Sequence, residues 1–115
     1  MVVDSLPDET TDRIFQALAD KTRRDILVRA VLEEQSVSAL ARHYEMSFAA
    51  VQKHVAVLER AALVTKERRG REQIVSANTP TLQKAAALLD AYEQLWIERT
   101  TRIAGILAGE EGSTQ

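Results

Sequence analysis

Residues 36–61 read SVSALARHYEMSFAAVQKHVAVLERA, and the spacing of their apolar residues decides the fold. Ser47 is a good N-cap, because its hydroxyl can accept from a backbone N–H that the first helical turn leaves without a partner. From there the pattern predicts a helix to about Ala61, with Val51, His54, Val55, Leu58 and Ala61 on one side at about 100° per residue. A brief helix carrying Leu40, Ala41 and Tyr44 precedes it, capped by Ser38 after a very short strand at Ser36 and Val37. The connection between the two helices is tight and ends at Met46. The period then changes. Residues 63–68 and 72–77 are extended runs on either side of Arg69-Gly70-Arg71, and two such runs around a Gly read as a β-hairpin. Two short helices followed at once by a basic hairpin are the ingredients of a winged helix-turn-helix.

The outer side of the helix at 47–61 carries Ala49, Gln52, Lys53, Ala56 and Arg60. A merely solvated helix would fill that side with long polar residues. Here the small Ala49 and Ala56 leave a shallow surface that can approach base edges in a major groove, where Gln bonds adenine in two places and Lys reaches guanine or phosphate. Ser47 stands beside free backbone N–H groups, a position that suits a phosphate oxygen as well as a cap. His54 reads as a packed, hydrogen-bonded side chain, and Phe48 as core, with a thymine methyl contact as its alternative. The hairpin, residues 63–77, adds Lys66 and the tip Arg68, Arg69, Gly70 and Arg71. Three guanidinium groups so close repel one another unless an anion is expected, and Gly70 supplies the positive φ of the turn.

The net charge of −2 hides an uneven distribution. Residues 42–71 hold seven basic against three acidic side chains, while residues 1–41 hold five against eight and residues 72–115 three against six. A basic middle between acidic flanks points to one surface made for a polyanion, here double-stranded DNA.

Outward from this centre, residues 11–19 place Ile14, Phe15, Leu18 and Ala19 at helical spacing, and Asp20 caps a second helix that buries Ile26, Leu27, Ala30 and Val31 and ends near Glu34. Thr79, with Pro80 at the first helical position, opens a last helix reaching residues 107–109, roughly 40 Å long at about 1.5 Å per residue. That is too long for its own domain to cover. Leu82, Ala85, Leu89, Tyr92, Trp96, Ile103 and Ile106 recur along it at three- and four-residue steps, interrupted by Arg99. This seam, with Ile14, Phe15 and Leu18, is assigned to a homodimer interface, and Tyr92 and Trp96 to packing rather than to an organic ligand. A two-fold dimer presents two reading helices to half-sites roughly 34 Å apart. The expected organisation is a frayed N-terminus at 1–8, one domain at 9–109 whose dimerisation helix spans about 79–109, and a flexible tail at 110–115.

Residues 46–64, MSFAAVQKHVAVLERAALV, followed by Arg68-Arg69-Gly70-Arg71-Glu72, resemble the recognition helix and wing of ArsR-family transcriptional regulators. Ala17-Leu18-Ala19-Asp20 with Arg23-Arg24-Asp25-Ile26-Leu27 resembles the family's early helices, and Leu95-Trp96 with Arg99 and Ile103 its terminal helix. The resemblance spans nearly the whole chain. It implies a homodimeric, mostly repressing regulator that binds a two-fold-symmetric operator and often releases it when a small-molecule effector binds. The family usually has Gly where Ala62 stands and Ser where Gln52 stands, so an operator sequence does not carry over.

The absence of Cys removes disulfides and thiolate metal sites, and residues 38–44 lack the thiolates of metal-sensing relatives. The terminal helix offers Asp90, Glu93 and Glu98 without a His, and His43 with Glu45 is too sparse for a site, so no metal and no cofactor is expected. Catalysis is excluded on similar grounds: there is no Gly-rich phosphate loop, and Ser47 and His54 face different ways on one helix. The acidic N-terminus has no apolar targeting segment and no stretch suits a membrane, so a cytoplasmic protein is expected, held at the nucleoid when bound to DNA. The competing reading is a winged-helix module that binds a protein or only dimerises, without specific DNA binding.

Overall fold

The computed structural model describes residues 7–112. Five helices and three short strands follow in the order α1 (Asp8–Leu18), α2 (Lys21–Leu32), β1 (Gln35–Ser36), α3 (Val37–Ala41), α4 (Phe48–Arg60), β2 (Val64–Arg69), β3 (Glu72–Ala77) and α5 (Thr79–Gly112). The architecture is the expected one: mainly helical, with a small antiparallel wing. Most of the two segments expected to be loose lies outside the described residues. Where they overlap, α1 already opens at Asp8 and α5 runs through Gly112.

The caps explain where the helices start. Asp20 Oδ2 accepts from the backbone N–H of Arg23 at 3.0 Å, and that bond holds its carboxyl below the usual aspartate range. Ser47 Oγ accepts from Ala50 N–H at 3.1 Å. Ser36, not Ser38, caps α3, accepting from Ala39 N–H at 3.0 Å. Burial decides between these serines, because starting the helix at Val37 turns both Val37 and Leu40 into the core. That core is built from all the helices and the sheet, with Ile14, Ile26, Leu40, Val51, Val55, Leu58, Leu63, Val64 and Val75 fully enclosed. Each such side chain contributes about 1.5–3 kcal/mol of transfer free energy. Val31, expected inside, stays 53% exposed.

The sheet order is β1-β3-β2, all antiparallel, and Arg69 pairs with Glu72 across a two-residue turn in which Gly70 takes φ +64°. The turn is thus Gly70-Arg71 and leaves Arg69 in the strand. Between α4 and β2 the chain closes a Schellman motif: Leu63 N–H donates to Leu58 C=O at 3.0 Å and Ala62 N–H to Glu59 C=O at 2.9 Å. Leu58 and Leu63, both without exposure, supply its apolar contact. The left-handed position falls on Ala62, at φ 59°, where a Cβ costs about 1–2 kcal/mol. Ala62→Gly is therefore expected to stabilise the fold by about 1 kcal/mol, less the entropy that Gly returns to the unfolded chain. A urea midpoint raised at constant slope checks it.

Leu63 C=O also accepts from Asn78 N–H at 2.9 Å, and Asn78 C=O accepts from Leu82 N–H at 3.2 Å, the first turn of α5. Pro80 therefore sits at the second helical position rather than the first. Thr81 and Leu88 are buried, and Leu82 and Ala85 pack against the same core. Beyond Leu88 the helix leaves the domain, which gives the molecule extents of 73 × 27 × 22 Å. Among the described residues, no helix is long and apolar enough to cross a membrane.

Candidate nucleic-acid interface

Helix α4 is held from behind. Arg23 donates from Nε to Ala17 C=O at 2.8 Å and from Nη2 to Gln16 C=O at 3.0 Å, closing the end of α1, while its Nη1 lies 3.3 Å from His54 Nδ1 on α4. Because guanidinium only donates, the imidazole nitrogen accepts, and His54 is the packed, bonded side chain expected. The turn before α4 is fastened to α2 as well. Tyr44 Oη donates to Asp25 Oδ2 at 2.5 Å, and Arg29 Nε donates to the same oxygen at 2.9 Å while its guanidinium lies 5.9 Å from the Tyr44 ring centre. The Tyr44 bond, followed by the Arg29 bond, holds the Asp25 carboxyl below its ordinary value. Burial, together with the bond to Asp25, pushes the Tyr44 phenol up to about 12. A group whose pKa is raised on folding lends stability that is complete below its unfolded value and lost as pH climbs through the folded one. Unfolding free energy is thus expected to hold up to about pH 10 and to fall between pH 10 and 12. In Tyr44→Phe that alkaline loss disappears and stability at neutral pH drops by about 1–2 kcal/mol. Urea titrations across the alkaline range measure both.

On the outer side of α4, Ala49, Gln52 and Lys53 are exposed, and Ser47 stands at its open end. The Ser47 oxygen is used by the cap, and its hydroxyl hydrogen stays available. Phe48, expected in the core, is 46% exposed beside Ser47, because Val51 and Val55 already fill the inward face. Ala56 is half-buried, one turn before Glu59, whose carboxylate lies 3.7 Å from Lys66 Nζ where α4 meets β2. Lys66, expected to meet DNA, is therefore a half-buried tie between wing and helix. Arg60 is exposed but occupies the last turn of α4, where it borders a groove of about 180 Å3 with Arg13, Gln16 and Val57. It stands at the opposite end of α4 from Ser47.

The wing tip divides its arginines. Arg71 is exposed and makes no hydrogen bond or ion pair among the described residues. Arg68 donates only to Gly70 C=O, at 3.2 Å. Arg69, expected to be as available, is engaged at all three nitrogens: Nη1 and Nη2 lie 2.6 and 3.4 Å from the Glu34 carboxylate, and Nε lies 2.6 Å from Glu67 Oε1. Alternation along β2 places Arg68 with Lys66 and the buried Val64, on the side of α4, and Arg69 on the opposite side with Glu67.

The expected pairing seam divides in the same way. Ile14 is buried in its own domain and Leu18, Leu82 and Ala85 rest on that core, because these residues lie on the inward stripes of α1 and α5. The remaining members, Phe15, Leu89, Tyr92, Trp96, Ile103 and Ile106, are exposed by 43–62%. The seam assignment left out Leu95, Ile97 and Leu107, which are 43%, 37% and 56% exposed. A window wider than the strict three- and four-residue stripe would have found them.

No family model matches the chain. Known proteins do resemble it over most of its length. It is 34% identical over 103 residues to the HTH-type transcriptional regulator Rv2034 of Mycobacterium tuberculosis, an alignment covering 90% of this chain and 94% of the relative. The transcriptional repressor SdpR of Bacillus subtilis is 29% identical over 72 residues, with 63% of this chain and 80% of SdpR covered. The solved structure of the ArsR family transcriptional regulator RHA00566 superposes with a TM-score of 0.74 at 31% identity, covering 79% of this chain and 94% of that one. With the capped helix pair, the three-stranded wing and these likenesses in agreement, the chain belongs to the ArsR family of winged helix-turn-helix transcriptional regulators.

Proposed function

We propose that the protein is a homodimeric repressor that reads a palindromic operator with α4 and braces itself on the DNA backbone with the wing. The observation that carries this reading is the placement of Ala49, Gln52 and Lys53, exposed on one shallow face, with Arg71 and Arg68 at the wing tip, both exposed and without an ion pair among the described residues. Gln52 reads adenine, Lys53 reaches guanine or phosphate, and Phe48 at the first turn meets a thymine methyl group. Ser47, Arg68 and Arg71 take phosphates. Dimerisation is supported by the large apolar residues that α5 carries beyond Leu88, which stay 37–62% exposed among the described residues. Regulators of this family bind DNA operators and form homodimers. Repression follows the relative SdpR.

Mobility shift on the promoter of the protein's own gene and on a scrambled duplex tests this. The promoter fragment is expected to bind about 1,000-fold more tightly or better, with affinity on both duplexes falling steeply as salt rises. Gln52→Ala is expected to shift the operator preference at one base pair by about 1–3 kcal/mol. An equal loss on every duplex removes Gln52 from base reading. No binding to either duplex favours a protein-binding module.

A further inference from the structure

Arg69 lies in the middle of the most basic run of the chain, yet three of its five N–H groups are already spent on carboxylates. One carboxylate, Glu67, is its strand neighbour. The other, Glu34, comes from the segment between α2 and β1, 35 residues earlier. Glu34 is itself held: Ser76 Oγ donates to its Oε2 at 3.1 Å, and β1, which Glu34 immediately precedes, pairs with β3, the strand that carries Ser76. The Arg69 bonds, followed by the Ser76 bond, lower the Glu34 carboxyl below its usual range, so it stays an anion at neutral pH. One guanidinium between two carboxylates carries net negative charge, on the side of the sheet away from α4. The neighbouring Arg68, on the α4 side, makes no ion pair among the described residues. The basic tip is therefore split between one arginine facing the reading helix and one already neutralised.

Resting on the DNA-binding reading, we infer that Glu34 is a positioning residue that stands in for a phosphate, holding Arg69 back from the duplex so that the wing meets the backbone with Arg68 and Arg71 alone. The physical effect is on the number of phosphates neutralised. Each protein cation that pairs with the backbone releases condensed counterions and steepens the fall of log K with log salt by about 0.9. By occupying Arg69, Glu34 lowers that number and weakens binding to arbitrary DNA, the state that competes with operator binding. Both side chains of the pair are about half exposed, 52% for Arg69 and 48% for Glu34, so removing it changes what Arg69 can reach while the core remains intact.

The test is fluorescence anisotropy with a labelled mixed-sequence duplex of roughly 30 base pairs, long enough for two half-sites about one helical turn apart. Wild type, Glu34→Gln, Arg69→Ala and the double variant are titrated between about 50 and 200 mM salt. Glu34→Gln is expected to steepen the salt slope by about one per protomer and to tighten binding about threefold to tenfold at the low-salt end. Arg69→Ala is expected to keep the wild-type slope, and the double variant to match Arg69→Ala. A wild-type slope in Glu34→Gln overturns the inference. So does a double variant that keeps the gain, since loss of one surface charge then accounts for it without Arg69. Wild-type protein that binds no duplex overturns the DNA-binding reading itself, an outcome distinct from normal wild-type binding with an unaltered Glu34→Gln.

Discussion

Trp96→Glu combined with Ile103→Glu is expected to convert the protein to a monomer in sedimentation and to weaken promoter binding by about 100-fold or more. The two positions are seven residues apart, two turns along one stripe of α5, and are 62% and 46% exposed in the single chain. Glutamates there meet only water while the chain is alone, so the helical circular dichroism of the domain persists. In a paired seam the same carboxylates are driven against apolar surface and each other, at several kcal/mol. The loss on DNA follows from linkage: once one half-site is held, a dimer binds the second at an effective concentration that multiplies affinity about 100-fold to 10,000-fold. A doubly substituted protein that still sediments as a dimer would place the seam on another surface.

Arg68→Ala with Arg71→Ala is expected to lower affinity about 10-fold to 100-fold at roughly 100 mM salt, on promoter and scrambled duplex alike, and to flatten the log–log salt slope by nearly two per protomer. Both residues are exposed and neither is in an ion pair among the described residues, so the thermal midpoint stays where it was. Binding measured on both duplexes across the salt range checks the slope and its indifference to sequence together. A loss confined to the promoter would make these arginines base readers in the minor groove.

Features with a local cause were legible in the chain itself. The Ser47 and Asp20 caps, the stripe of Val51, Val55 and Leu58, and the two runs around Gly70 each follow from residues within a few positions of one another. What the periodicity does not carry is what lies across the gap. Phe15 sits beside Ile14 on the same helix, and only the packed domain shows that Ile14 is enclosed while Phe15 is left outside. The same holds along α5, where Leu82 and Ala85 belong to the same apolar repeat as Leu89 and Tyr92 but rest on their own core. Arg69 is the sharpest case. Its charge suggested a phosphate, and one of the two acids that engage it lies 35 residues away, beyond any local pattern.

The hydrogen bond from Asn78 to Leu63 ties the end of the reading helix, the foot of the wing and the start of the long helix at one point. With no spacer among the three, a pair of such chains in the proposed dimer works as callipers, its jaws on the proposed half-sites and its setting made far out along the paired shafts. One residue inserted after Asn78 turns every side chain beyond it by about 100° and shifts the contact by about 1.5 Å. The gauge is then lost although each jaw keeps its shape. Evolution of a new operator spacing is thus open to repacking of the shafts and closed to growth at the joint.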